Sequence, residues 1–137
     1  MSFEVYLQFF DNSEEAGVDS VSVREAFVPY STMDKPDVLS ICYDDRNSCD
    51  VFLDYLQDTS LVSGLTISRP CQDNRLWDSL IAIMRQGNAI LYFPGGEHPL
   101  VASPSAIPHL PTDMVEALGN PFVVENAGEL LAAMRES

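Results

Sequence analysis

The chain has 137 residues, with 21 Asp and Glu against 7 Lys and Arg, a formal net charge of −14. That balance opposes binding to nucleic acid or to an anionic membrane, since both need a basic surface, and it makes a basic protein the natural complement. The hydrophobic fraction of 46% is ordinary for a folded protein, so the acidity does not signal disorder.

The length suits a single domain, residues 1–137, and no apolar run is long enough to span a bilayer. The opening Met-Ser-Phe-Glu-Val-Tyr lacks the positive and apolar regions of a signal peptide, so a cytoplasmic location is expected. The cysteines are Cys42, Cys49 and Cys71, an odd count that reads as reduced thiols. Cys42 and Cys49 either face each other across a hairpin or stand as two separate semi-buried thiols. The charge is uneven: residues 1–58 hold 13 acidic and 3 basic side chains, and residues 59–137 hold 8 and 4.

Residues 3–10 alternate, with Phe3, Val5, Leu7 and Phe9 on one face and Glu4, Tyr6, Gln8 and Phe10 on the other, which predicts a strand. Ser20 or Ser22 caps a short helix, Ser22 with Glu25 fits a capping box, and Pro29 ends the helix. Residues 30–37 read as a loop. Residues 38–44, 49–56 and 61–68 predict three strands in an antiparallel meander, with Leu39, Ile41, Val51, Leu53, Leu65 and Ile67 facing inward.

Leu76, Trp77, Leu80, Ile81, Ile83 and Met84 form the broad apolar stripe of a central helix, with Gly87 placed as its C′ residue. Ala89 to Phe93 is a short strand buried on both faces, and Leu100 to Ala102 a further extended piece. Pro104, Pro108 and Pro111 predict an irregular connection over 103–111. Thr112 caps a helix to Leu118, with Gly119 behind it, and Phe122 to Val124 is a strand. Asn126 with Glu129 fits a capping box for a terminal helix over 127–135. The expected fold is α+β: a largely antiparallel sheet with helices packed on one face.

No catalytic or cofactor motif stands out, so no enzyme activity, cofactor or metal is expected. His98 and His109 lack a partner at metal-ligand spacing. Gly95-Gly96 fits neither phosphate-loop pattern, and Asp44, Asp45, Asn47 and Asp50 miss the calcium-loop spacing. The enzymatic alternative is Cys71, just ahead of the Trp77 helix, working with His98 or His109 in a small enzyme or ligand-binding protein.

The acidic hairpin region admits two readings, a solvated face or a binding face. The second rests on Asp50, Phe52 and Asp54, which alternate with the core set and put an aromatic ring between carboxylates. The expected partner-binding residues are Asp44, Asp45, Asp50, Phe52, Asp54 and Asp58, with Tyr6 added from the first strand. Gln8, Ser40 and Thr66 fall on the same outer face if the registers hold.

A small, strongly acidic, cytosolic α+β protein without catalytic motifs resembles the immunity proteins of bacterial toxin systems. The resemblance implies an inhibitor that occludes the active site of a basic toxin, with steered association. A DNA-mimic inhibitor is a neighbouring alternative. The segments Leu76-Trp77, Leu91-Tyr92-Phe93-Pro94-Gly95-Gly96 and Asp113-Met114 are also similar to bacterial proteins of no assigned activity.

Overall fold

The computed structural model describes residues 4–28, 30–57, 59–70, 73–94 and 98–135. Among the described residues the strands are β1 (Glu4–Asp11), β2 (Glu14–Glu15), β3 (Val18–Asp19), β4 (Ser31–Asp34), β5 (Val38–Asp44), β6 (Asn47–Tyr55), β7 (Leu61–Ser68), β8 (Ala89–Tyr92), β9 (Leu100–Val101) and β10 (Phe122–Val123). The helices are α1 (Ser20–Glu25), α2 (Asn74–Met84), α3 (Thr112–Leu118) and α4 (Ala127–Arg135), with a 3-10 helix over Pro104–His109. This is the expected α+β class.

The sheet runs in the order β10-β9-β8-β1-β7-β6-β5-β4, with β2 beside β1 and β3 beside β7. All its pairs are antiparallel except β10 with β9. The meander over residues 31–68 is local, whereas β1 sits between β7 and β8, two strands far from it in sequence.

Period-2 alternation decides which side chains face the helices. Val5, Leu7, Phe9, Leu39, Ile41, Val51, Leu53, Leu65 and Ile67 form one buried cluster with α1, α2 and α4. All six stripe residues of α2, Leu76, Trp77, Leu80, Ile81, Ile83 and Met84, are buried there. Trp77 is the largest buried side chain, and its Nε1 has no hydrogen-bond partner among the described residues.

The helices do not all lie on one face. Phe10, Ile90 and Val101 point the other way and are covered by Ala106 and Leu110, with Met114, Val115 and Leu118 of α3 packed against them. The outer face is therefore covered over β8 and β9.

Several local expectations change. The 30–37 loop contains edge strand β4, which the sequence hides because Ser31-Thr32-Met33-Asp34 does not alternate apolar and polar residues. Asp19, not Ser20 or Ser22, caps α1 by accepting from the Val21 N–H at 3.1 Å. Gly87 is not a left-handed C′ residue: α2 closes at Arg85, and Gly87 lies against Phe9 and Val18, where an added Cβ would come within 3.2 Å of each ring or methyl carbon. The Pro104–His109 segment is helical, started by Ser103. Pro111, without a side-chain cap, stands before α3, whereas Gly119 does end it with φ of 102°. The Asn126–Glu129 cap forms: Glu129 N–H donates to Asn126 Oδ1 at 2.9 Å, and Glu129 Oε1 accepts from the Glu125 N–H at 3.0 Å.

Candidate functional site

β7 pairs with β1 on one side and with β6 on the other, and the two registers align three rows across the outer face. Tyr6, Thr66 and Phe52 form one row, extended by Tyr92 and Val38. Glu4, Ser68, Asp50 and Ser40 form the next, and Gln8, Gly64 and Asp54 the third. Within this part of the outer face β7 contributes only small side chains, while β1 and β6 contribute carboxylates, aromatic rings and an amide. The result is a trough with a floor of Gly64, Thr66 and Ser68, about 9–10 Å between its walls from two strand spacings.

Gly64 is required by its backbone surroundings, because a Cβ there would meet the Leu7 carbonyl oxygen at 2.5 Å. Phe52 is 43% exposed, unusual for a large ring at mid-strand. On the opposite wall Tyr6 stacks on Tyr92, with ring centres 5.3 Å apart and planes 25° from parallel.

The carboxylates differ in their commitments. Ser40 Oγ donates to Asp50 Oδ1 at 2.8 Å. The Tyr6 hydroxyl donates to Glu4 Oε2 at 2.8 Å, and that bond to an anion raises the Tyr6 pKa. Burial raises the pKa of Tyr92. Asp54 is exposed, and its carboxylate has no partner among the described residues. The Ser68 end of the trough opens into a shallow cavity of about 790 Å³, bordered by Asp50, Cys42, Ser48 and Arg69. Arg69 borders that cavity and sits at a left-handed φ of 52°.

The structure therefore brings Tyr6, Asp50, Phe52 and Asp54 onto one face, together with Gln8, Ser40 and Thr66. It leaves Asp44 off that face. Asp44 Oδ1 accepts from the Arg46 and Asn47 backbone N–H groups at 2.8 and 3.0 Å, and the Asn47 side chain donates to both carboxylate oxygens. Those bonds, led by the Asn47 side chain, hold its carboxyl below the ordinary 3.8. Asp44 thus builds the β5–β6 turn, and Asp45 is exposed at its tip. Asp58 lies outside the described residues.

Glu4, Tyr92, Gly64 and Ser68 also belong to the trough and were not singled out from the sequence. Glu4 was within reach, being two residues from Tyr6 on the same strand; the other three require the register.

Cys71 also lies outside the described residues. Its proposed bases are far apart along the sheet. His98 stacks on Phe122 at 4.0 Å, and its Nδ1 contacts the Asn120 carbonyl oxygen at 3.0 Å. His109 Nδ1 accepts from the Asn12 N–H at 3.1 Å, beyond the Asp11 end of β1. Because that nitrogen accepts, the Asp11 carboxylate at 3.3 Å is a neighbour rather than a recipient of its proton. Pro70, the last described residue before Cys71, follows Ser68, which pairs with Glu4 at the opposite end of β1. Cys49 pairs with Ile41 and is buried, whereas Cys42 pairs with Ser48 and is exposed, so the two thiols leave the sheet on opposite faces and form no disulfide with each other. Among the described residues no His, Cys, Asp and Glu group could hold a metal ion.

A second concavity, of about 640 Å³, lies between Arg24, Lys35, Tyr55 and Thr59. Arg24 Nη2 there donates to the Lys35 and Pro36 carbonyls at 3.1 and 2.8 Å and contacts the Tyr55 hydroxyl at 3.0 Å, which ties α1 to the β4–β5 turn. No helix among the described residues is long and apolar enough to cross a membrane. The chain matches no protein-family model, no curated protein and no solved structure.

Proposed function

We propose that this protein is an acidic protein-binding module acting in the cytoplasm, an immunity-type inhibitor that neutralises a basic toxin by occluding its active site. The reading is carried by one observation: the outer face of β1, β7 and β6 presents an exposed Phe52 between Asp50 and Asp54, opposite Tyr6 and Glu4. A charged rim around an apolar centre is the form of a docking surface for a basic partner. The net charge of −14 extends its attraction beyond contact distance and speeds encounter at low salt. Asp50 and Asp54 pair with Lys and Arg around the toxin's substrate site, and Phe52 supplies the apolar contact. The protein is not itself an enzyme in this reading and needs no cofactor.

The test is capture from the native cell at low salt with the wild-type chain and with an Asp50→Lys, Asp54→Lys variant, followed by assay of the captured protein. The expected result is one basic protein held stoichiometrically by the wild type, released by salt, lost with the variant and inhibited in its own activity by the wild-type chain. Equal retention by both chains would remove this face from the proposal.

A further inference from the structure

A guanidinium is already seated among rings and a carboxylate within the described residues. Arg75, at the start of α2, has its Cζ 4.9 Å from the centre of the Tyr30 ring and 4.8 Å from that of Tyr43. Asp73 accepts from its Nε at 2.8 Å and its Nη2 at 2.7 Å. The planar cation lies against aromatic faces while its in-plane N–H groups reach a carboxylate, a combination that a lysine ammonium does not reproduce.

Among the described residues, the rows that form the trough over β7 hold the same kinds of group and no cation. Phe52 stands two residues from Asp50 and two from Asp54 on one strand face, about 6.6 Å to either side. Across the Thr66 floor stands Tyr6, backed by Tyr92 and flanked by Glu4. A guanidinium lying on the Phe52 ring is within reach of Asp54, whose carboxylate has no partner among the described residues, and of the Asp50 oxygen that Ser40 leaves open. Arg69 borders the cavity at the Ser68 end, and Arg24 and Lys35 line the separate concavity at Tyr55. A second copy of the chain does not fit, because face-to-face stacking would set Asp50 and Asp54 against like charges.

We propose that the trough between Phe52 and Tyr6 is an arginine socket: the partner docks by laying an arginine guanidinium on Phe52 and pairing it with Asp54 and Asp50. This rests on the reading of the outer face as a docking surface for a basic partner, and it adds that arginine, not lysine, is the anchor.

The probes are acetylated, amidated tetra-arginine and tetra-lysine peptides, which carry the same charge, titrated at low salt against the ¹⁵N-labelled full chain. The expected result is tighter binding of tetra-arginine by about two- to fivefold, the range of a cation–π contact at an exposed site. Amide shifts should centre on Phe52, Thr66 and Asp54. Phe52→Leu keeps the apolar area but removes the ring face, so it should bring tetra-arginine down to the affinity of tetra-lysine and leave the latter unchanged. That unchanged affinity also reports that the variant is folded. Equal affinities for the wild type, an arginine preference that survives Phe52→Leu, or shifts centred elsewhere would overturn the socket while leaving an acidic docking face intact. Binding of neither peptide would overturn the docking face itself, and the socket with it.

Discussion

The two faces of β1, β7, β6 and β5 are built from alternate residues of the same four strands, yet they answer to different physics. Inward, Val5, Leu7, Leu65, Ile67, Val51, Leu53, Leu39 and Ile41 are buried under α1, α2 and α4. Outward, Asp50, Phe52 and Asp54 are exposed and Glu4, Tyr6, Thr66 and Ser68 half-buried, outside both buried clusters of the described residues, although β8 and β9 next door are covered on that side by the 3-10 helix and α3. The sheet thus covers the apolar part of its outer face and leaves the acidic part open. Burying Asp50 and Asp54 would cost more than their neighbours could return, because an unpaired charge out of water is penalised far more heavily than a methyl group gains. What remains open is a surface whose carboxylates are best satisfied by cations from another molecule.

The sharpest test of this contrast is to remove one large ring from each face. Trp77→Ala, on the helix that covers the inner face, should lower unfolding free energy by about 3–5 kcal/mol in urea denaturation. Phe52→Ala, at the centre of the outer face, should change it by only about 0.5 kcal/mol or less. A comparable loss for Phe52 would mean that the outer face holds the fold together.

Kinetics offer a second test. Replacing Asp50 and Asp54 by lysine should reduce the association rate with a basic partner by about tenfold or more at low salt, and flatten its salt dependence. An unchanged association rate would mean that these charges do not steer the encounter.

Acid titration of an Asp73 variant probes the inner side. Asp73 caps α2 through the Arg75 backbone N–H at 2.9 Å, and the Arg75 side chain, before the helix itself, holds its carboxyl below the ordinary 3.8. Its stabilisation is therefore complete above pH 3.8 and is lost as pH falls through the lowered value. Asp73→Ala should cost about 1 kcal/mol near neutral pH. The difference from wild type, followed by denaturation at falling pH, should shrink below 3.8; a difference that grew there would reverse the assignment.

The smallest effect separates the two faces by thiol chemistry. In a Cys71→Ser background, an aromatic disulfide reagent should modify exposed Cys42 quickly and buried Cys49 only on unfolding. Two equally fast thiols would mean that β6 does not hold its inward register.

Alternation along the strands is legible in the chain alone. Period-2 patterning in residues 4–10, 38–44, 49–55 and 61–68 placed Tyr6, Gln8, Asp50, Phe52, Asp54 and Thr66 on the outward side, because side-chain direction along a strand is a local property of the pleat. The sequence likewise placed the α2 stripe and the Asn126–Glu129 cap, both set by neighbours within a turn. That β1 lies between β7 and β8, and hence that Tyr6 and Phe52 face each other across Thr66, came from long-range pairing. Strand pairing joins residues tens of positions apart, and several orders bury the same apolar face equally well. The cover over Ile90, Val101 and Phe10 depended in the same way on where a proline-rich segment came to rest. The turn role of Asp44 and the ring contacts of Arg75 were hidden for a related reason: a carboxylate or guanidinium is spent or left open by the groups that folding places within hydrogen-bonding reach, not by its position in the chain.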